Sequence, residues 1–179
     1  MKATGIVRNI DNLGRVVVPK EIRRTMRLRE GDPLEIFTGA DDEVIFRKYS
    51  PVGGILPVVQ AYAEALSQSA DLPILITDRD SVIICTGLSE EGIIGRRVSR
   101  ALEMTIESGT DFIAEPDGES LCPVGGLERK AAVACPIIGS GNAAGCVIML
   151  MNEDGDMPTQ TEVSLMQVAA SFLGKQMVG

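Results

Sequence analysis

Arg8-Asn9-Ile10-Asp11-Asn12-Leu13-Gly14-Arg15-Val16-Val17-Val18-Pro19-Lys20-Glu21-Ile22-Arg23-Arg24 is the stretch on which the reading of this chain turns. The β-branched residues between Gly5 and Ile10 predict a strand, Asp11 to Gly14 a tight turn, and Arg15 to Val18 a second strand. Pro19 is expected at the first position of a short helix, Lys20 to Met26, where a missing N–H does no harm. Arg8 and Arg15 would then flank the turn, one on each strand, while Arg23 and Arg24 sit side by side on the helix with Lys20 and Arg27 nearby. A guanidinium is a planar fork that grips a phosphate, or the O6/N7 edge of guanine, through two hydrogen bonds. Four such groups in one short segment point to duplex DNA. A solvated surface salt-bridged to Glu21, Glu30 and Asp32 is the competing explanation.

Charge distribution separates this segment from the rest. The chain of 179 residues has a net charge of −8, yet residues 2–29 hold eight Lys/Arg against two Asp/Glu, whereas residues 51–179 hold seven against seventeen. Only the beginning offers a surface that attracts phosphate. There is no histidine, so the usual general base and the commonest metal ligand are missing, and an enzyme is not expected. The pattern implies neither a cofactor nor a metal. Few aromatic residues leave no row of stacking side chains, which argues against a single-strand or RNA-loop binder. The four cysteines, Cys85, Cys122, Cys135 and Cys146, lie in apolar runs without CxxC spacing and read as reduced core residues. No apolar stretch exceeds strand length, so a cytoplasmic, nucleoid-associated protein without membrane contact is expected.

Further along, Leu34 to Thr38 and Glu43 to Lys48 predict a hairpin around Gly39-Ala40-Asp41-Asp42. The first fifty residues contain few large apolar side chains, too few for a comfortable isolated core. A homodimer exchanging hairpins through residues 1–50 is the natural remedy. Pro51-Val52-Gly53-Gly54 is expected to be a linker, leaving a second domain over residues 55–179. There Ile55, Val59, Tyr62, Leu66 and Ser69 recur at helical spacing behind Pro57. Val98 to Ser108 is helical (Val98, Ala101, Leu102, Thr105) up to Gly109. Strands are expected at Ile74 to Thr77, Val82 to Thr86, Ala131 to Ile138 and Cys146 to Met151, the last two joined by the turn Gly139–Gly145. Thr159-Gln160-Thr161-Glu162 reads as a capping box opening a helix with Val163, Met166, Ala170, Leu173 and Met177 on one face. The 3-4 spacing in both outer helices suggests coiled-coil-like seams, and hence a homotetramer built through the helices of the second domain.

The run Lys2-Ala3-Thr4-Gly5-Ile6-Val7-Arg8, followed by Asp11 to Pro19, Glu21-Ile22-Arg23-Arg24, Glu30 to Ile36 and Ile45 to Tyr49, resembles the AbrB family of swapped-hairpin regulators (SpoVT-AbrB type). The Leu13-Gly14-Arg15-Val16-Val17-Val18-Pro19 core with the downstream arginine pair is the specific part. The resemblance implies an α+β protein that opens with a swapped-hairpin β-barrel dimer; the pattern after it, a helix, two strands around Thr77-Asp78-Arg79-Asp80, a helix, further strands and a terminal helix, resembles a GAF domain, an antiparallel sheet flanked by helices. The AbrB resemblance implies a transcription regulator of sporulation genes, activator and repressor, whose Arg8, Arg15, Arg23 and Arg24 contact duplex DNA and read it largely by groove shape. Asn9 stands where AbrB itself is often more basic, and Lys20, Arg27 and Asn9 join the candidate contacts. An antitoxin-type autoregulator is the alternative, disfavoured by the structured, apolar continuation.

For the acidic half, a ligand sensor and an oligomerisation platform both fit. A pocket for an unknown small molecule would be walled by Gly92–Arg97 and Asp111–Pro123, with Arg96, Arg97, Phe112 and Cys122 as candidate contacts. Surface pairing of Arg96 and Arg97 with Glu90, Glu91 or Glu103 is the plainer reading. The acidic group Glu153, Asp154 and Asp156 reads as a solvated turn, since it lacks calcium-loop spacing.

Overall fold

The computed structural model describes residues 4–40, 42–88 and 92–177. Lys2 and Ala3 of the opening motif, Asp41 of the hairpin turn, and Glu90 and Glu91 lie outside the described residues. The chain divides into two compact units, Met1–Tyr49 and Ser50–Gly179.

In the first unit, helix α1 spans Lys20–Met26 and strands β1 (Leu34–Thr38) and β2 (Val44–Lys48) form an antiparallel hairpin in the register Leu34↔Lys48 to Thr38↔Val44. Pro19 is the residue capping α1 rather than its first helical position, and its carbonyl accepts the N–H of Arg23 at 2.9 Å. The strands expected over Gly5–Ile10 and Arg15–Val18 do not form within the chain. Only the turn between them closes, through Asp11 N–H to the Arg15 carbonyl and Gly14 N–H to the Asp11 carbonyl, both 3.0 Å. A β-strand is stable only when its N–H and C=O groups find a ladder, and this chain supplies these segments with no facing edge among the described residues. No described residue of this unit is buried, and Val7 is 82% exposed and Val17 73%.

The second unit is a five-stranded antiparallel sheet in the order β4-β3-β7-β6-β5, where β3 is Ile74–Asp78, β4 Val82–Thr86, β5 Phe112–Ile113, β6 Ala131–Gly139 and β7 Asn142–Leu150. One face carries Ile74, Ile76, Val133, Ile137, Val147 and Met149, against which α3 (Leu56–Ala70) and α5 (Gln160–Gln176) pack. The other face, with Leu75, Ala134, Cys146 and Ile148, is covered by α4 (Arg100–Ser108) and by Ile93, Leu121, Val124 and Leu127 of the long connections.

Pro51–Gly54, expected as a linker, is instead a helical turn, α2, capped by Ser50 Oγ, which accepts the N–H of Gly53 at 3.2 Å. Its Val52 is fully buried in the helix-covered core, so the second unit starts at residue 50. The seams on the outer helices also have a different destination. Val59 and Leu66 of α3, and Val163, Met166, Ala170 and Leu173 of α5, are buried within this chain against its own sheet. Tyr62 and Phe172 stack between the two helices at 5.0 Å. The 3-4 spacing is common to a helix lying on a sheet and to one lying on a helix. In α4 the inward face is Leu102 and Ile106, with Ala101 exposed, because the helix starts two residues later than expected, behind Ser99.

The β6–β7 connection is shorter than the seven residues expected. Only Ser140 and Gly141 stand outside the strands, with φ of 49° and 81°, the left-handed pair that a two-residue hairpin turn uses. The cysteines are all free, with Cys135 and Cys146 buried and Cys85 and Cys122 half-buried. Burial pushes the Cys135 thiol up to about 12, assisted by the charge of Asp111, and also raises that of Cys146 well above its ordinary value. These two are inert core residues.

The capping box of α5 is complete: Thr159 Oγ1 accepts the N–H of Glu162 at 3.3 Å, and the Glu162 carboxylate accepts the N–H of Thr159. Replacing Thr159 with alanine should remove about 1 kcal/mol. The expected reading is a fall of about 3 °C in the thermal midpoint by circular dichroism; an unchanged midpoint would mean that the packed face alone holds this helix end.

Candidate nucleic-acid interface

The turn at 11–14 is built by one carboxylate. Asp11 Oδ1 accepts the N–H groups of Leu13 (2.9 Å) and Arg15 (2.8 Å), and Oδ2 accepts Arg15 Nε at 2.8 Å. Asp11 thus closes the turn and aims the Arg15 guanidinium in one step, as Asx turns do. The Arg15 backbone N–H, then its side chain, then the Leu13 N–H hold the Asp11 carboxyl below its ordinary 3.8. A depressed folded value means that the turn's contribution is present above the unfolded pKa and is lost as pH falls through the folded one. A carbon-detected NMR titration should give an Asp11 midpoint below 3.8, with the Arg15 Nε signal moving at the same pH. Independent titration of the two groups would show that the carboxylate does not fix the arginine.

Arg15 keeps 69% of its side chain exposed despite this pair. Arg8 is exposed and donates from Nη1 to the carbonyl of Val7 at 2.9 Å, with exposed Asn9 beside it. On α1, Lys20, Arg23 and Arg24 are all exposed, and Arg27 follows as an exposed left-handed cap with φ of 51°. The carbonyl of Arg27 accepts Lys48 Nζ at 3.2 Å, which ties the helix end to β2.

The salt-bridge explanation for these cations is not what the structure displays. Among the described residues, no carboxylate lies within ion-pair distance of Arg8, Lys20, Arg23, Arg24 or Arg27. Asp32, one of the carboxylates considered for them, lies 3.5 Å from Lys48 and accepts the N–H of Arg29. With the guanidinium of Arg15 only partly engaged, the segment presents a set of solvated cations that an anionic backbone can reach.

The residues suggested for a small-molecule pocket each have local engagements in the structure. Half-buried Arg96 donates from Nε to the Gly92 carbonyl at 2.8 Å, closing its own loop, while exposed Arg97 pairs with Ser81 in an isolated bridge. Phe112 lies on β5 and packs under the loop-covered face, and Cys122 faces Lys130. Glu103 pairs with Arg100 at 3.0 Å. None of the four candidates lines the two recesses of about 380 Å³ found in this unit: one lies by Asp111, Cys135, Gln167 and Lys175, the other by Asp71, Met149, Asp156 and Glu162. Ile93 and Leu121, within the two walls, are buried in one cluster with Val124 and Leu127. The acidic group at 153–156 is an exposed turn in which Glu153 pairs with Arg129 at 2.8 Å and Asp156 bonds Asn152. The contact between Cys122 and Lys130 had no sequence signal.

Comparison with known proteins agrees with both units. The family model described as "Stage V sporulation protein T C-terminal, transcription factor" matches residues 56–178, and "Antidote-toxin recognition MazE, bacterial antitoxin" matches residues 7–53. Transition state regulatory protein AbrB of Bacillus subtilis (strain 168) is 55% identical over 51 residues, 28% of this chain and 52% of AbrB. For the second unit, a methyl-accepting chemotaxis protein fragment aligns with a TM-score of 0.53 at 16% identity, over 66% of this chain and 85% of that one. The GAF domain from an Acinetobacter phosphoenolpyruvate-protein phosphotransferase aligns at 0.52 and 9% identity, over 68% and 80%. These likenesses fix the fold of the second unit as GAF-like. Stage V sporulation protein T of the same Bacillus is 42% identical over 179 residues, covering 99% of both chains. Identity at that level over the full length, with the family model spanning most of the second unit, means that this chain belongs to the stage V sporulation protein T family.

Proposed function

We propose that the chain is a transcription regulator of sporulation genes that binds duplex DNA through Arg8, Arg15, Arg23 and Arg24, with Lys20, Arg27 and Asn9 at the margin of the contact. It activates or represses according to where its site lies. The observation that carries this reading is the group of exposed cations: Arg8, Arg23 and Arg24 have no carboxylate partner among the described residues, and Arg15, though paired with Asp11, keeps 69% of its side chain exposed. A regulator acting on the nucleoid in the cytoplasm, and not an enzyme, fits the absence of histidine. Among the described residues no helix is long and apolar enough to cross a membrane.

The binding unit is a homodimer through residues 1–50. Val7, Ile10, Val16 and Val17 are exposed around two segments that lack a ladder, and no described residue of this unit is buried. A second copy that paired these segments would supply both the missing hydrogen bonds and the missing core. The second unit joins dimers into a tetramer. The expected seams are occupied by the sheet, so the contact must use the outward side of the same helices, where Val58 and Val168 are exposed and Leu165 and Phe172 are half-buried. With a buried apolar cluster beneath its loop-covered face, this unit serves as a platform more readily than as a receptor for a small molecule.

Salt dependence tests the DNA reading. Eight arginines per dimer, each neutralising one phosphate, give a slope of log K against log salt of about −7. A slope near −2 would remove the multi-arginine interface. The antitoxin reading draws on the match over residues 7–53; purification of the chain from its host in a stoichiometric complex with a small toxic protein would favour it instead.

A further inference from the structure

We propose that Cys122 and Lys130 form an oxidant-sensitive modification site, at which one oxygen atom links Sγ to Nζ in a covalent N–O–S bridge. The geometry that points to it is a contact of 2.8 Å between Lys130 Nζ and Cys122 Sγ. That is shorter than N–H···S hydrogen bonds usually are, and it is the separation that a single oxygen bonded to both atoms would hold. The lysine has no competing engagement: among the described residues no carboxylate lies within ion-pair distance, while its neighbour Arg129 takes Glu153. A half-buried ammonium that faces a thiol in place of a carboxylate is an unusual arrangement, since long cations are ordinarily paired or solvated.

Both side chains are held where they are by backbone structure. Ala131 N–H donates to the Leu121 carbonyl at 2.9 Å, and Met151 N–H to the Lys130 carbonyl at 2.9 Å, so the two ends of the segment between them are clamped side by side. Pro123 accepts the N–H of Ser99 at 2.8 Å, Val124 pairs with Val98, and Val124 and Leu127 are buried. The pair therefore closes the base of the glycine-containing loop that covers one face of the sheet. Both residues are half-buried, within reach of a small oxidant. Cys135 and Cys146, buried with raised thiol pKa values, do not compete for it.

Hydrogen peroxide is the oxidant class, and the step balances with two molecules of it. The S–H bond and two N–H bonds of the ammonium break, one of the latter releasing its proton to solvent; an S–O and an O–N bond form to the same oxygen, and three waters leave. The pair gives up four electrons, two to each peroxide. A sulfenic acid on Cys122 is the first stage, as for other accessible thiols, and the amine already in contact with sulfur diverts it from further oxidation. Reductant restores thiol and amine.

The test is mass spectrometry of the full-length protein after hydrogen peroxide. The expected product is heavier by about 14 Da, one oxygen gained and two hydrogens lost. Trypsin cuts after Arg129, between the two residues, so the fragments bearing Cys122 and Lys130 should stay joined until reductant is added. Lys130→Arg keeps the charge and cannot form the bridge; its Cys122 should take up whole oxygens, in steps of about 16 Da, at least about fivefold more than the wild type does. Cys122→Ser should give neither product. Joined fragments in Cys122→Ser overturn the proposal, as does a wild-type Cys122 that gains whole oxygens as fast as in Lys130→Arg. A disulfide to Cys85 in place of the joined fragments overturns it too. The wild-type digest decides the matter without either variant.

Discussion

Arg23→Ala combined with Arg24→Ala is expected to weaken binding to duplex DNA at least a hundredfold at moderate salt, and to bring the salt slope from about −7 to between about −3 and −4. Both guanidinia stand on α1 without a carboxylate partner among the described residues, and no side chain of that helix is buried. Removing them therefore takes away contacts with an anionic partner and very little packing. Each site carries the pair twice in a dimer, so four of the eight phosphate contacts disappear together, which is what halves the slope. Fluorescence anisotropy across a salt series reads both quantities, and analytical ultracentrifugation checks that the oligomer survives. Loss of the oligomer along with binding would assign the pair a structural role. Full binding with an unchanged slope would move the interface away from this helix.

The largest stability effect is expected from a single added methyl group, in Gly145→Ala. Gly145 lies in β7, in the centre of the sheet, paired with Asp78 on one side and Ile137 on the other. A Cβ at that position would overlap the carbonyl oxygen of Thr77, with the Asp78 Cα only 3.1 Å away. The obstacle is backbone on a neighbouring strand, so no side-chain rotation relieves it, and the β3–β7 ladder must open locally. A cost of about 3 kcal/mol or more follows, read as a large fall in the denaturant midpoint of the second unit by circular dichroism. Gly125→Ala is the matched control, since nothing lies within 4 Å of a Cβ there, and it should change stability by less than about 0.5 kcal/mol. Equal tolerance of both substitutions would mean that β3 and β7 are not held at the registered spacing.

Where sequence reading succeeded and where it stopped can be traced to particular residues. Periodicity located α3 and α5, and Thr159 with Glu162 located the start of α5, because a helix records its own turn length and its cap in local chemistry. The same periodicity could not say what the helices pack on. A stripe at 3-4 spacing is satisfied by Ile74, Val147 and Met149 of a sheet as well as by another helix, and here the sheet took it. Pro51-Val52-Gly53-Gly54 looked like a linker because its composition breaks regular structure, whereas Val52 finds a buried site that depends on strands far away in sequence. Gly145 was read as part of a loop because glycine marks turns more often than close strand approaches. The cations proposed for the interface were picked out by their motif, and the structure places Arg23 and Arg24 together on α1. The Cys122–Lys130 contact left no trace in the sequence, since eight intervening steps of irregular backbone carry no spacing rule.

The first unit, with no described residue buried, has a consequence for gene control. If two copies must meet before this segment acquires a core, then recognition depends on the square of the protomer concentration in dilute conditions. If the second unit also pairs copies, as proposed, the local concentration of the first rises. Expression level then acts as a dial: below a threshold dose most copies would be blind to DNA, and modest overproduction would recruit many operators together. A cell that makes the protein at one developmental moment would obtain a sharp onset without any inducer.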